Sequence, residues 1–285
     1  IGLIGLGANA KAASIAGDLV VQNARVRAIG EDAGGFRPIS EKDLFDCEYW
    51  SLEQAKLGKG APPKFQGKIV MITGGSGTIG FAIAKAFSKL GAQTILVDKD
   101  EIALKESVTK LGVGHKYFPI DVTHSDAANQ ALLAAINNFG GLDILISNAG
   151  AAHAGPMLGI SNEELRNAFE LNFFSHYSFS TEAAKILKDQ NRGGQILFNI
   201  SKQAVNPGKN FGAYGLPKAT TFFLMRQLAL ELGSDGIRVN GINADRIRSG
   251  LLTDDFISSR AKSRGVSESE YCLLYTSDAA DDRMR

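Results

Sequence analysis

The chain has 285 residues, enough for one large domain or two smaller ones. With 44% hydrophobic residues, 21% charged residues and a formal net charge of +1, its composition is that of ordinary globular material. It marks no nucleic-acid groove and no membrane-binding surface, and no apolar run approaches the ~18 residues that a spanning helix needs. The two cysteines, Cys47 and Cys272, are far apart, which excludes a disulfide scaffold and fits a reducing cytoplasm, and the four histidines, His115, His124, His153 and His176, show no metal-ligand spacing, which argues against a zinc or iron enzyme.

In chain order, residues 1–57 read mostly helical. "NAKAASIAGDLVVQNARVRAI" carries apolar residues at helical spacing, and "SEKDLFDCEYWSLEQAKL" is a second amphipathic stretch. The early "GLIGLGA" follows no strand and reads as a packed glycine turn rather than a nucleotide loop. Residues 58–67, "GKGAPPKFQG", form a Gly/Pro-rich linker. From there strand and helix patterns alternate: strands near 68–74, 93–98, 116–121, 142–147, 195–200 and 237–242, and helices near 79–90, 101–111, 125–138, 162–188 and 214–232. Ser161 and Glu164 form a capping box that opens the long fourth helix. This alternation predicts an α/β fold, a Rossmann-like doubly wound parallel sheet, spanning residues 68–271.

The last residues read differently. The codons that "CLLYTSDAADD" allows can spell a stretch that resembles the adapter of a transposon-based sequencing library, so residues 272–285 are expected to be adapter read-through. The fold is then expected to be truncated before a final strand, leaving the strand at 237–242 as an exposed edge.

Chemistry gathers first at "TGGSGTIG", residues 73–80. An apolar strand precedes it and a helical pattern follows, and Gly75, Gly77 and Gly80 spell G-x-G-x-x-G. Such a loop lets backbone approach a dinucleotide pyrophosphate, with the helix N-terminus favouring the anion. Asp98 ends the second strand about 20 residues on, where a carboxylate accepts ribose hydroxyls and repels a 2′-phosphate. The expected cofactor is therefore NAD. Tyr214 and Lys218 lie four apart on one helix face. An ammonium there is expected to lower the phenol's pKa and make it a usable acid/base. Ser201 ends the fifth strand, thirteen residues before Tyr214.

Taken together, TGGSGTIG, Asp121-Val122, Asn148-Ala149-Gly150, Asn172 in "LNF", Ser201, Tyr214-x-x-x-Lys218 and Arg238-Val239-Asn240 resemble the short-chain dehydrogenase/reductase family over residues 66 to 251. The resemblance implies an enzyme acting on CH–OH groups, with Tyr214 as acid/base and Ser201 orienting the substrate oxygen. Lys218 would hold the nicotinamide ribose and tune Tyr214, and Asn172 would anchor a water in the proton relay. Gly74, Ser76, Gly77, Thr78, Ile79 and Gly80 would bind the pyrophosphate, and Asp121 and Val122 would flank the adenine. Asn148, Ala149 and Gly150 would line the cofactor cleft, and Ser249 would meet the nicotinamide carboxamide. Four positions depart from the pattern of the family's compact branch: Thr78 stands for its middle loop glycine, Lys202 for a second serine, and Ala244-Asp245 for Pro-Gly. The loop spelling also fits the extended branch of nucleotide-sugar epimerases and dehydratases, but the Asn-Ala-Gly run, the Ser–Tyr interval and the Arg-Val-Asn strand are compact-branch features.

"FRPISEKDLFDCEYWSLEQAKL" is similar to the connector of bifunctional proteins that join a class II sugar-phosphate aldolase to a short-chain dehydrogenase, such as rhamnulose-phosphate aldolase/dehydrogenase. Residues 1–57 would then be an aldolase's last helix and connector, or simply an arm packed on the dehydrogenase. That resemblance implies carbohydrate metabolism and a small sugar-derived secondary alcohol or hydroxyaldehyde, lactaldehyde among them, as substrate. It also implies a homo-oligomer when full length. A non-catalytic module is the competing reading, which the complete Asn/Ser/Tyr/Lys set argues against.

Overall fold

The computed structural model describes residues 2–50, 61–152, 154–245, 247 and 254–273. By its contacts the chain divides into two units, Ile1–Lys68 with Leu90–Gln93, and Ile69–Lys89 with Thr94–Arg285.

In the first unit, α1 (Ala10–Asp32) starts at Asn9, whose extended backbone lets its side chain accept the Ala12 N–H at 2.9 Å. Gly34 and Gly35, both with positive φ, follow the end of the helix. The second helix, α2 (Glu41–Glu48), is capped by Ser40, whose Oγ accepts from the Asp43 N–H at 3.1 Å and donates to the Asp43 carboxylate at 2.7 Å. Phe45 and Tyr49 stack one turn apart. The amphipathic pattern predicted a longer second helix; α2 ends at Glu48, and residues 51–60, which include most of the expected connector and the start of the linker, lie outside the described residues.

The second unit is organised by a six-stranded sheet: β1 (Ile69–Thr73), β2 (Gln93–Asp98), β3 (Lys116–Pro119), β4 (Ile144–Ser147), β5 (Gly194–Asn199) and β6 (Ile237–Ile242), in the order β3-β2-β1-β4-β5-β6. The registered neighbours run parallel. Parallel strands covered on both faces need continuous apolar runs rather than alternation, and β1 and β4 are buried at every position. Between the strands run α3 (Thr78–Lys89), α4 (Glu101–Leu111), α5 (Ala127–Phe139), α6 (Asn162–Phe169), α7 (Ser175–Gln190) and α8 (Gly212–Leu232); α9 (Asp254–Arg264) and α10 (Glu268–Leu273) follow β6. Met71, Leu145, Ile196 and Phe198 from the sheet join Leu132, Phe179 and Leu187 from the helices in one apolar core.

The predicted alternation is found, with one difference. The helix expected at 162–188 begins at the predicted capping box, Ser161 with Glu164, but a π-helical turn, Glu170–Phe174, separates α6 from α7. Side chains draw on the carbonyls in and before it: Asn172 Nδ2 donates to Ala168 O at 3.1 Å, Ser175 Oγ to Leu171 O at 2.6 Å, and Thr221 Oγ1 to Asn172 O at 2.8 Å. A widened turn of this kind aims one side chain out of the regular helical path. Here that side chain is Asn172, at 1% exposure.

Among the described residues β6 is the last strand of its edge. Among the described residues after it, α9 and α10 are helical. Ser267 and Glu270 make a reciprocal cap for α10, with Ser267 Oγ accepting the Glu270 N–H at 3.1 Å and Glu270 accepting the Ser267 N–H at 2.9 Å. Of the stretch read as adapter, Cys272 and Leu273 end α10, and residues 274–285 lie outside the described residues.

Candidate active site

The chain passes from β3 at one edge to β4 beside β1, so the crevice between the C-terminal ends of β1 and β4 is the sheet's switch point, where doubly wound folds bind ligands. Three polar residues tie these ends together. Thr73 Oγ1 accepts the N–H groups of Asn148 and Ala149 at 2.9 and 3.0 Å. Asn148 Nδ2 donates back to Thr73 O at 3.0 Å, and Asn199 Nδ2 donates to Asn148 Oδ1 at 2.9 Å. The ends of β1, β4 and β5 thus form one rigid floor.

The glycine loop rises from this floor. Gly74 turns the chain out of β1 with φ +64, and a Cβ there would press on Ala149 Cα at 3.0 Å. A Cβ on Gly80 would come 2.1 Å from Gly74 O, so only glycine lets α3 close onto the loop. On the outer side Gly77 and Thr78 are exposed, and a Cβ at Gly77 would meet only Gly74 O, at 3.4 Å. The result is a bare backbone cradle at the start of a twelve-residue helix, which fits a pyrophosphate. Thr78, the departure from the compact-branch spelling, points to the open side and leaves the cradle intact.

Asp98 reaches the loop. Its Oδ2 accepts Ser76 Oγ at 2.7 Å and Ser76 N at 3.3 Å, and its Oδ1 accepts Lys99 N at 2.8 Å. The carboxylate therefore stands at the loop's rim and also ties it down. Asp121 accepts Thr123 N at 3.0 Å and Thr123 Oγ1 at 2.8 Å, and these bonds hold its pKa below the usual value. Lys99 lies 3.9 Å from the Asp121 carboxylate. Val122 packs into the apolar core, so the part it can offer a cofactor is mainly backbone. Ile79 is partly buried beside the loop, and Ser249 lies outside the described residues.

Across the crevice lie the polar residues of β5, α7 and α8. Ser201 follows β5 and is 8% exposed, and its Oγ accepts Gln203 N at 3.2 Å. Tyr214 sits in the first turn of α8, half-buried, with Lys218 one turn later. Pro217 is the sixth residue of α8, so its missing N–H leaves the Ala213 carbonyl without its helical partner one turn on. Lys218 Nζ lies 5.8 Å from the Tyr214 ring centroid, donates to Asn199 O at 3.1 Å and lies 3.3 Å from His176 Nε2. Gly150 closes over these groups: a Cβ there would come 2.8 Å from Asn172 Oδ1 and 3.3 Å from Lys218 Nζ.

One electrostatic expectation changes. Lys218 was expected to lower the Tyr214 pKa. Burial instead holds the phenol above its ordinary value, with only the Ser201 hydrogen bond pulling it down. Lys218 is itself so desolvated that its pKa falls to about 7, and a half-charged ammonium is a weak lever on its neighbour. Asn172 was expected to anchor a relay water. Its amide is taken by backbone, accepting Ala151 N at 3.3 Å and donating to Ala151 O at 3.0 Å and Ala168 O at 3.1 Å. It clamps the segment after Gly150 in place.

Sequence reasoning passed over Thr73 as a side chain, Ser147, His176, Asn199 and Thr221. His176 carried a usable signal, since it lies four residues after Asn172 on the same helix. The departures at Lys202 and Asp245 explain each other, for they form an ion pair at 3.0 Å. Among the described residues no cluster of three or more His, Cys, Asp or Glu could hold a metal, and no helix is long and apolar enough to cross a membrane.

Known proteins match this arrangement. Residues 68–256 match the family model of the short chain dehydrogenases, and residues 1–57 match that of the second domain of class II aldolases. The "Uncharacterized oxidoreductase YuxG" of Bacillus subtilis (strain 168) is 32% identical over 275 residues, covering 93% of this chain, and the chain spans only 40% of that relative's length. The 7alpha-hydroxysteroid dehydrogenase of Escherichia coli (strain K12) is 34% identical over 182 residues, 63% of this chain and 71% of that one. Among solved structures, the 3-ketoacyl-(acyl-carrier-protein) reductase from Brucella melitensis, complexed with NADH, superposes with a TM-score of 0.65 at 27% identity, covering 68% of this chain and 82% of its own.

Proposed function

Because the chain belongs to the short-chain dehydrogenase family of oxidoreductases, we propose that it is an NAD-dependent enzyme interconverting a small secondary alcohol or hydroxyaldehyde and its oxidised partner, with Tyr214 as acid/base. The observation that carries this reading is the placing of Ser201, just past β5, close enough to Tyr214 on α8 to act on its phenol, with Lys218 Nζ 5.8 Å from the Tyr214 ring. Two hydroxyls from different elements thus converge where a substrate oxygen can be gripped.

The residues fit a dinucleotide. The bare backbone from Gly74 to Gly80 would hold the pyrophosphate, and Asp98 the adenosine ribose, where its charge disfavours a 2′-phosphate. Asp121 and Val122 would border the adenine, and Asn148, Ala149, Gly150 and Lys218 the nicotinamide half, joined by Ser249. Bound there, the nicotinamide would supply or accept the hydride. The chain's own part is the proton. Ser201 orients the substrate oxygen, and Tyr214, kept protonated by burial, is ready to donate to an oxygen that gains negative charge during carbonyl reduction. In the oxidative direction the Ser201 hydrogen bond stabilises the phenolate that takes the alcohol proton. Lys218, where charged, adds to that stabilisation.

The extended-branch alternative is not favoured, since the family match is to the short chain dehydrogenases and the departure at Thr78 leaves the cradle unchanged. The match of residues 1–57 to the aldolase second domain supports a sugar-derived substrate, lactaldehyde or a similar short product. Exposed apolar side chains on the helical layer, Phe174, Tyr177, Phe223 and Leu230, support a homo-oligomer.

Cofactor titration with a panel of short aldehydes and ketones tests this reading. NADH should bind and turn over in preference to NADPH. Asp98→Ser, with Lys99 retained, should shift that preference toward NADPH by about tenfold, roughly 1.4 kcal/mol. Equal affinity of the unmodified protein for both cofactors would mean that Asp98 does not face the ribose.

A further inference from the structure

The proton chemistry above leaves one buried titratable group unused. His176, on α7, is 1% exposed. Its Nδ1 is 2.6 Å from Ser147 Oγ at the end of β4, and its Nε2 is 3.3 Å from Lys218 Nζ. Ser147 is itself 1% exposed, so the chain Ser147–His176–Lys218 runs through the interior.

The chemistry of the three partners fixes who donates. A lysine ammonium has three N–H donors and no acceptor. One goes to Asn199 O at 3.1 Å. A second can go to His176 Nε2 only if that nitrogen presents its lone pair, so the imidazole must be neutral with its proton on Nδ1, where Ser147 Oγ receives it. Burial, and then the charge of Lys218, do push the His176 pKa well below its ordinary value, against a hydrogen bond to the Ala149 backbone. The groups facing Nζ are Tyr214 on its own helix, His176 on α7 and the Asn199 carbonyl on β5; among the described residues no carboxylate shifts it. An ammonium buried without a counter-charge depends on having its N–H groups satisfied. A space-filling histidine would meet neither the tautomer requirement nor this dependence.

We infer that His176 is a positioning residue for Lys218: held by Ser147 as the neutral Nδ1–H tautomer, it accepts one ammonium N–H, and with the Asn199 carbonyl it leaves a single N–H for the nicotinamide ribose. The inference rests on the dehydrogenase reading, because it gives Lys218 its role at the cofactor.

The full chain, labelled with 15N-histidine, reports the tautomer directly, without cofactor. Below about pH 7, where Lys218 is charged, His176 should show the Nδ1–H form and stay neutral down to pH 5, through the range where an ordinary histidine titrates. An Nε2–H form, or protonation near pH 6.5, would overturn the assignment. NADH titration then tests the consequence. His176→Gln, whose carboxamide oxygen can reach the place of Nε2, should bind within about twofold of the unmodified protein. His176→Leu and His176→Asn, which cannot reach Lys218, should bind roughly tenfold more weakly, as expected for loss of a hydrogen bond to a charged group. Unchanged affinity in His176→Leu, or in His176→Asn if the leucine variant fails to fold, would also overturn it. An unmodified protein that shows the Nδ1–H tautomer but binds no NADH keeps the Ser147–His176–Lys218 arrangement and instead refutes the dehydrogenase reading.

Discussion

Around the glycine loop the protein holds its shape with backbone: a positive φ at Gly74 and contacts that leave no room for a Cβ at Gly80. Across the crevice it uses buried polar side chains instead. Asn172, Ser147, His176, Asn199, Lys218 and Thr221 satisfy one another below the surface. The first region is fixed mainly by sterics, with the Asp98 carboxylate holding Ser76 at its rim. The second is fixed by hydrogen bonds around an ammonium that is charged only below about pH 7, so its stability and its readiness to react both depend on pH.

The larger expected effect lies on the polar side. The Lys218 pKa is depressed from 10.5 to about 7 in the folded protein. Between those values the unfolded chain binds the extra proton, so stability rises with pH across that window, and below pH 7 the full cost of burying the charge is present. Lys218→Met should therefore stabilise the fold by roughly 1–4 kcal/mol while abolishing turnover. Denaturant unfolding should show a greater gain at pH 6 than at pH 9. A variant less stable than the unmodified protein at pH 6 would mean that the ammonium is well solvated and that the contrast between the regions is false.

On the backbone side the change is smaller and independent of pH. Gly80→Ala places a methyl against Gly74 O, and overpacking of this kind costs about 1–3 kcal/mol, or tenfold to a hundredfold if expressed in NADH affinity. Calorimetric titration at pH 6 and pH 8 should give the same loss. A loss that varied with pH would place a titrating group in the cradle, where the structure has backbone.

The same contrast explains what could be read before the structure. The glycine loop, the strand–helix alternation and the Ser161 capping box are local features, set by residues adjacent in the chain, and each is found where its letters lie. Tyr214 and Lys218 were legible for the same reason, being one helical turn apart. The network beneath them was not. Its members come from β4, β5, α7 and α8, and only the sheet order brings Ser147 and Asn199 to the same floor. The π turn at Glu170–Phe174 was hidden because one of its carbonyls, that of Asn172, is met by Thr221, forty-nine residues further on. The Tyr214 pKa was misjudged for a related reason. Spacing revealed a nearby cation but not the burial that weakens it.

The central claim is that Tyr214 supplies the proton while the loop across the crevice supplies most of the affinity for the cofactor. Tyr214→Phe separates the two. NADH binding by titration and hydride transfer by single-turnover absorbance should be measured on the same preparation. The account predicts binding within about twofold of the unmodified protein and a transfer rate lower by roughly 10²–10⁴-fold. A phenylalanine variant that keeps more than about a tenth of the rate would contradict it, because the proton would then come from another group.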